Sequence, residues 1–168
     1  MRLSRSKSAI RLIVGILFLT YGCAAQTIPS AIWGKWVIQR ELPTRTISCW
    51  GEADARKIIG TRIEYSDKIF RWDSIITNNP VAESKIITAQ QFHDENSGGS
   101  VNSSQVDFQQ LGINRAQTTE IKIHHAAARV SAATNEIPGD DILLKDPDTI
   151  VFSICNVYFE AKRVLDRK

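Results

Sequence analysis

The chain has 168 residues, 43% of them hydrophobic and 23% charged, with 21 basic against 18 acidic side chains. That length and apolar content suffice for one domain with a sizeable core. The positive surplus sits in the first 25 residues, which carry four basic and no acidic side chains; the remainder holds 17 against 18, a net of −1. A nucleic-acid partner, which demands a dense cationic patch, is therefore not indicated.

Arg2, Arg5, Lys7 and Arg11 flank or precede an apolar run from Leu12 to about Tyr21, followed by Gly22-Cys23-Ala24-Ala25. This is the three-part pattern of a secretory signal, with cleavage expected after Ala25. The run is about half the roughly 20 residues that a spanning helix needs. The expected organisation is a signal peptide over residues 1–25 and one domain over residues 26–168, periplasmic or secreted. Cys23 offers the alternative of a lipid anchor, the one route to a membrane in this reading, although Thr20 stands where a lipobox has an aliphatic residue.

The mature chain opens on a strand-like segment, Ile32-Trp33-Gly34-Lys35-Trp36-Val37-Ile38, whose alternation puts Ile32, Gly34, Trp36 and Ile38 on one face. Leu42 to Cys49 reads as a connection, and Gly51 to Gly60 as a short helix with acids in its first turn and bases in its last. A plug over one end of a barrel is the expected role of that helix. Thr61 to Tyr65 and Phe70 to Trp72 read as a hairpin around Ser66-Asp67-Lys68, with Tyr65, Phe70 and Trp72 facing inward.

Asn78-Asn79-Pro80 marks a turn, and a strand is expected from about Ser84 to Phe92. His93 to Ser104, rich in Ser, Asn, Gly and acids, reads as a mobile surface loop. Val106 to Ile113 reads as irregular, Thr118 to His124 as a strand and Arg129 to Thr134 as a further short one. Pro138-Gly139-Asp140 is a turn, and Ile142 to Lys145 and Thr149 to Ile154 form a hairpin around Asp146-Pro147-Asp148. The last segment, Val157 to Val164, puts Val157, Phe159, Ala161 and Arg163 on one face. Seven to nine strands and one helix predict a mainly β, antiparallel barrel or sandwich.

Beyond the signal the chain keeps Cys49 and Cys155, which an oxidising compartment would pair, closing a loop of about a hundred residues worth about 4–5 kcal/mol. Two inert buried thiols are the alternative. His124 and His125 are adjacent, so on a strand they point to opposite faces and cannot share an ion; no metal and no cofactor is expected. The acids Asp140-Asp141 read as turn caps, since acid–base work would need a cleft. No nucleophile elbow or phosphate loop occurs, so no catalytic residue is assigned. Tyr65, Phe70 and Trp72 are the candidate ligand-binding set: they either line an apolar cavity or fill a core.

Trp36 and Arg163 lie at opposite ends of the mature chain and read as the two ends of one closed sheet, the guanidinium lying flat on the indole. With Gly34-Lys35-Trp36 near the mature start and Phe159 to Arg163 at the close, the chain resembles the lipocalin-like (calycin) barrels. There a Gly-x-Trp on the first strand is covered by a basic residue on the last. The helix after the first strand departs from that pattern, in which the large helix comes near the C-terminus. The resemblance implies an antiparallel barrel and a non-enzymatic exported protein that binds a small apolar or amphipathic ligand or lipid. The alternative is an envelope protein–protein interaction module, an inhibitor or assembly factor, with a filled barrel and a working surface at residues 93–104.

Overall fold

The computed structural model describes residues 27–44, 50–96, 106–125 and 136–165. The signal region, Cys23, Cys49, the strand expected at residues 129–134 and most of the expected loop lie outside them. A 3₁₀ turn at Ser30–Ile32 leads into β1 (Gly34–Glu41), and α1 (Glu52–Ile58) separates β1 from β2 (Arg62–Tyr65), β3 (Ile69–Trp72), β4 (Ile75–Asn78) and β5 (Val81–Thr88). Then come α2 (Ala89–Asn96), β6 (Gln117–His124), β7 (Asp141–Asp146), β8 (Thr149–Ile154) and β9 (Val157–Arg163).

The nine strands among the described residues join one antiparallel sheet in the order β4-β3-β2-β1-β9-β8-β7-β6-β5. The first strand pairs with the last, as the opposed faces of Trp36 and Arg163 predict. Among the described residues the sheet is a curled half-barrel, compatible with the expected barrel, whose two edges are β4 and β5. Only Asn79 and Pro80 separate those strands in the chain. Asn79 donates its N–H to the Lys68 carbonyl at 2.7 Å, and Pro80 has none to donate, so the turn forms no hairpin ladder between them.

The inner face holds the larger core. One cross-strand row runs Ile75, Trp72, Ile63, Trp36, Arg163 over five strands. Phe152 and Phe159 pair across β8 and β9 with ring centres 5.6 Å apart. α1 lays Ala55 and Ile58 against this core. At the Pro138-Gly139 turn, the Gly139 carbonyl accepts a 2.8 Å hydrogen bond from the Tyr65 hydroxyl. Gly139 has φ +86°, and any Cβ there would run into that hydroxyl.

The outer face of β7, β8 and β9 is buried as well. Leu143, Val151 and Tyr158 pack under Phe92 of α2 and under Val106, Phe108, Leu111 and Ile113 of the irregular segment. This is why Ile142-Leu143-Leu144, Ile150-Val151-Phe152 and Val157-Tyr158-Phe159 are continuous apolar runs rather than alternating ones.

Two sequence expectations are corrected here. The strand expected to reach Phe92 stops at Thr88, and residues 93–96 of the expected loop are helical, because residues 89–96 are α2. The cause is a reciprocal capping box. Gln91 N–H donates to Thr88 Oγ1 at 3.2 Å, and Thr88 N–H donates to Gln91 Oε1 at 3.0 Å. The strand β4 was not anticipated at all.

Candidate functional site

The three aromatics predicted to meet a ligand do share the inner face. Tyr65 and Phe70 are each 1% exposed and stack at 5.5 Å with their planes 10° apart. Their polar capacity is spent internally: the Tyr65 hydroxyl goes to Gly139, and the half-buried Trp72 donates Nε1–H to Thr61 Oγ1 at 3.1 Å. Burial and the Asp140 carboxylate push the Tyr65 phenol well above its ordinary pKa. None of the three clefts described below includes any of these side chains.

Trp36 and Arg163 are brought together as expected. They are direct cross-strand partners, and the guanidinium carbon stands 4.2 Å from the indole centre. Trp36 donates Nε1–H to the Ile32 carbonyl at 2.8 Å, while Trp33, 41% exposed, donates to Ile28 at 2.9 Å. Cys155 lies buried on the β8–β9 turn.

The adjacent histidines point apart. His124 Nε2 faces Glu83 at 3.2 Å on the outer surface, and His125 Nε2 meets Asp140 at 2.8 Å. Asp140 also accepts the Ile137 N–H at 2.9 Å, the turn-capping role expected of it. Among the described residues no three His, Cys, Asp or Glu side chains form a group able to hold a metal ion.

Asp141 does something else. As the first residue of β7 it faces a small cleft between α2 and the outer face of β6 to β9. Cross-strand register builds this cleft's charge pattern: Glu83 pairs with Lys122 and Lys122 with Asp141, while Lys85 pairs with Glu120. Lys122 Nζ is 3.4 Å from Asp141 and 3.7 Å from Glu120, and Lys85 Nζ bridges Glu120 and Glu95 of α2 at 3.0 Å each. Burial raises the Asp141 pKa to about 6 against the pull of Lys122. Burial also raises the Tyr158 phenol to about 12, with Asp141 and Glu120 adding to it. That phenol donates to Asn96 Oδ1 at 3.1 Å, tying β9 to α2.

Sequence reasoning missed this cleft because charges alternating on a strand read as a solvated face. Glu120, 6% exposed, lines this cleft beside Phe92, Glu95 and Asn96 of α2, and the Thr88-x-x-Gln91 box was the available sign of that helix.

Two other clefts are surface features. One lies beside α1 at Trp50, Glu52 and Val157. The other is the seam between the sheet edges, lined by Ile75, Ile76, Pro80, Val81, His124 and His125 among others. Ile76 is 49% and Val81 40% exposed there. No protein-family model, curated protein or solved structure matches this chain.

Proposed function

We propose that this protein is an exported, non-enzymatic interaction module with a filled half-barrel, working at the seam between β4 and β5. The observation that carries this reading is the packing of Tyr65 on Phe70, both 1% exposed and with the Tyr65 hydroxyl committed to Gly139. Side chains placed this way contribute to a core rather than to a ligand-lined cavity. The seam offers what a protein partner needs: two strand edges that pair with no other strand among the described residues, and the exposed apolar pair Ile76 and Val81. A partner segment in extended conformation would add to β4 or β5 through main-chain hydrogen bonds.

A second reading keeps the small amphipathic ligand but moves it to the same seam, where Ile75, Ile76 and Val81 stand beside the polar Asn78, Asn79 and His124. Photo-crosslinking in intact envelopes separates the two. A photoreactive residue at position 76 is expected to trap one discrete protein, and the same residue at Lys57 on α1 none. Saturable binding of an apolar fluorophore at about micromolar strength, abolished by Ile76→Asp and without any protein adduct, would transfer the function to the ligand reading.

A further inference from the structure

The two halves of the sheet carry opposite charge on their outer faces. On β1, β2, β3 and β9 the outward residues include Lys35, Arg40, Arg62, Arg71 and Lys162, five bases against the two acids Glu64 and Glu160. Beside β5 and β6, Glu83, Glu120 and Asp141 with Glu95 of α2 outnumber Lys85 and Lys122. The charges beyond residue 25 nearly cancel in number, yet they are separated in space.

Register concentrates the unmatched bases. Val37 pairs with Arg62 on one side and Lys162 on the other, and Lys35 stands two residues along β1 on the same face. Lys35, Arg62 and Lys162 are exposed, and none has a carboxylate within ion-pair distance among the described residues. Lys162 donates to the Thr149 hydroxyl, and Asp146 of β7 is the acid that follows in that row. Glu64 and Glu160 are taken, the first by Arg71 at 3.4 Å, the second by Arg40 at 3.3 Å and Lys145 at 2.7 Å.

An apolar rim borders the same face. The Lys35 carbonyl accepts the Val164 N–H at 2.7 Å, which sets the exposed Val164 and Leu165 at the start of β1. Arg163 donates to the Trp33 carbonyl there, and the exposed Trp33 indole is held to Ile28. We propose that this basic face and its rim dock on an anionic lipid surface. Headgroup phosphates take the three unpaired cations, while Trp33, Val164 and Leu165 enter the interfacial layer, where an indole finds both polar and apolar surroundings. A soluble polyanion answers the charge but leaves the rim in water. The chain leads the same way. Thr27, next to the Ile28 that holds Trp33, is four residues after Cys23, so an acyl group there would keep this pole within about 14 Å of the bilayer.

The test is sedimentation of the protein, as recovered from cells after export, with vesicles of phosphatidylcholine alone and with vesicles containing about 30% phosphatidylglycerol. The ratio of the two affinities cancels any contribution of an acyl chain. A ratio of about ten or more is expected at about 0.1 M salt, falling towards one at about 0.5 M. The double change Lys35→Gln, Lys162→Gln should lower it about tenfold, and Arg56→Gln, Lys57→Gln on α1, which removes the same charge, should leave it in place. Anionic vesicles should also shift tryptophan emission to the blue, and Trp33→Phe should abolish the shift; this readout decides the matter if the double variant fails to fold. A ratio near one, a ratio indifferent to Lys35 and Lys162, or emission that vesicles do not move would overturn the proposal. So would binding of poly-L-glutamate as tight as that of the anionic vesicles, which would give the face to a soluble acidic partner.

Discussion

Arg163 lies flat over Trp36 at 4.2 Å and at the same time donates to the main-chain carbonyls of Ala31, Trp33 and Pro147. One guanidinium therefore ties the entry turn, β1, β9 and the β7–β8 turn together. Gly34 permits the approach: its φ is +120°, and a Cβ there would stand 3.3 Å from Arg163 Nη1. The Gly-x-Trp sequence thus has a physical reason in this chain, since glycine makes room for the cation that covers the tryptophan.

Arg163→Lys is consequently not conservative. Lysine keeps the charge but loses the planar fork, so it cannot stack and reach three carbonyls at once. A loss of about 1–3 kcal/mol is expected in urea unfolding at neutral pH. A change indistinguishable from zero would mean that the charge alone, not the fork, holds these segments.

The two neighbouring tryptophans should respond differently. Trp36 is fully buried with its N–H bonded to Ile32, so Trp36→Ala should cost about 3–5 kcal/mol. Trp33 is 41% exposed, and Trp33→Ala should cost clearly less. Equal losses in the same unfolding experiment would contradict the facing of β1.

Much of this architecture was legible because it follows from two-residue alternation. Trp36, Ile63, Tyr65, Phe70, Phe159 and Ala161 all face inward as their parity requires. The turns at residues 66–68, 138–140 and 146–148 are marked by Ser, Gly, Pro and Asp in positions that demand them. What stayed hidden depends on distant covering elements. Nothing local to Glu120 or Asp141 reports that α2 lies beside them, and nothing local to Ile76 reports that β4 is an edge of the sheet among the described residues. The candidate ligand set was correctly grouped on one face, yet alternation cannot distinguish a lined cavity from a filled one.

Cys49 and Cys155 should be bonded. Cys155 is 3% exposed on the β8–β9 turn, and both cysteines follow a segment that reads as an export signal. Alkylation of the unfolded, unreduced protein should label neither, and reduction should lower stability by up to about 4–5 kcal/mol. Labelling of both positions before reduction would reject the bond.

Two carboxylates should give the stability curve opposite slopes on its two sides. Burial alone would raise Glu160, but Lys145 at 2.7 Å and Arg40 at 3.3 Å outweigh it and hold the pKa below the ordinary 4.5. Its stabilisation is present above that ordinary value and lost as pH falls through the lower folded one. Asp141 runs the other way. Burial raises it from 3.8 to about 6, so the folded state keeps a proton that the unfolded chain has released. Its contribution is complete below 3.8 and fades as pH rises through about 6. Because the Asp141 side chain is 43% exposed, screening by water limits that effect to about 1 kcal/mol. Urea midpoints taken between about pH 3 and pH 8 should therefore rise gently from neutrality towards about pH 5, then fall in stronger acid. Asp141→Asn should flatten the neutral limb only. Glu160→Gln should flatten the acid limb and cost about 1–3 kcal/mol at neutral pH, since it leaves Lys145 without its carboxylate. If Asp141→Asn leaves the slope between about pH 5 and pH 7 untouched, the raised carboxyl belongs to another residue and the charge balance of the α2 cleft must be redrawn.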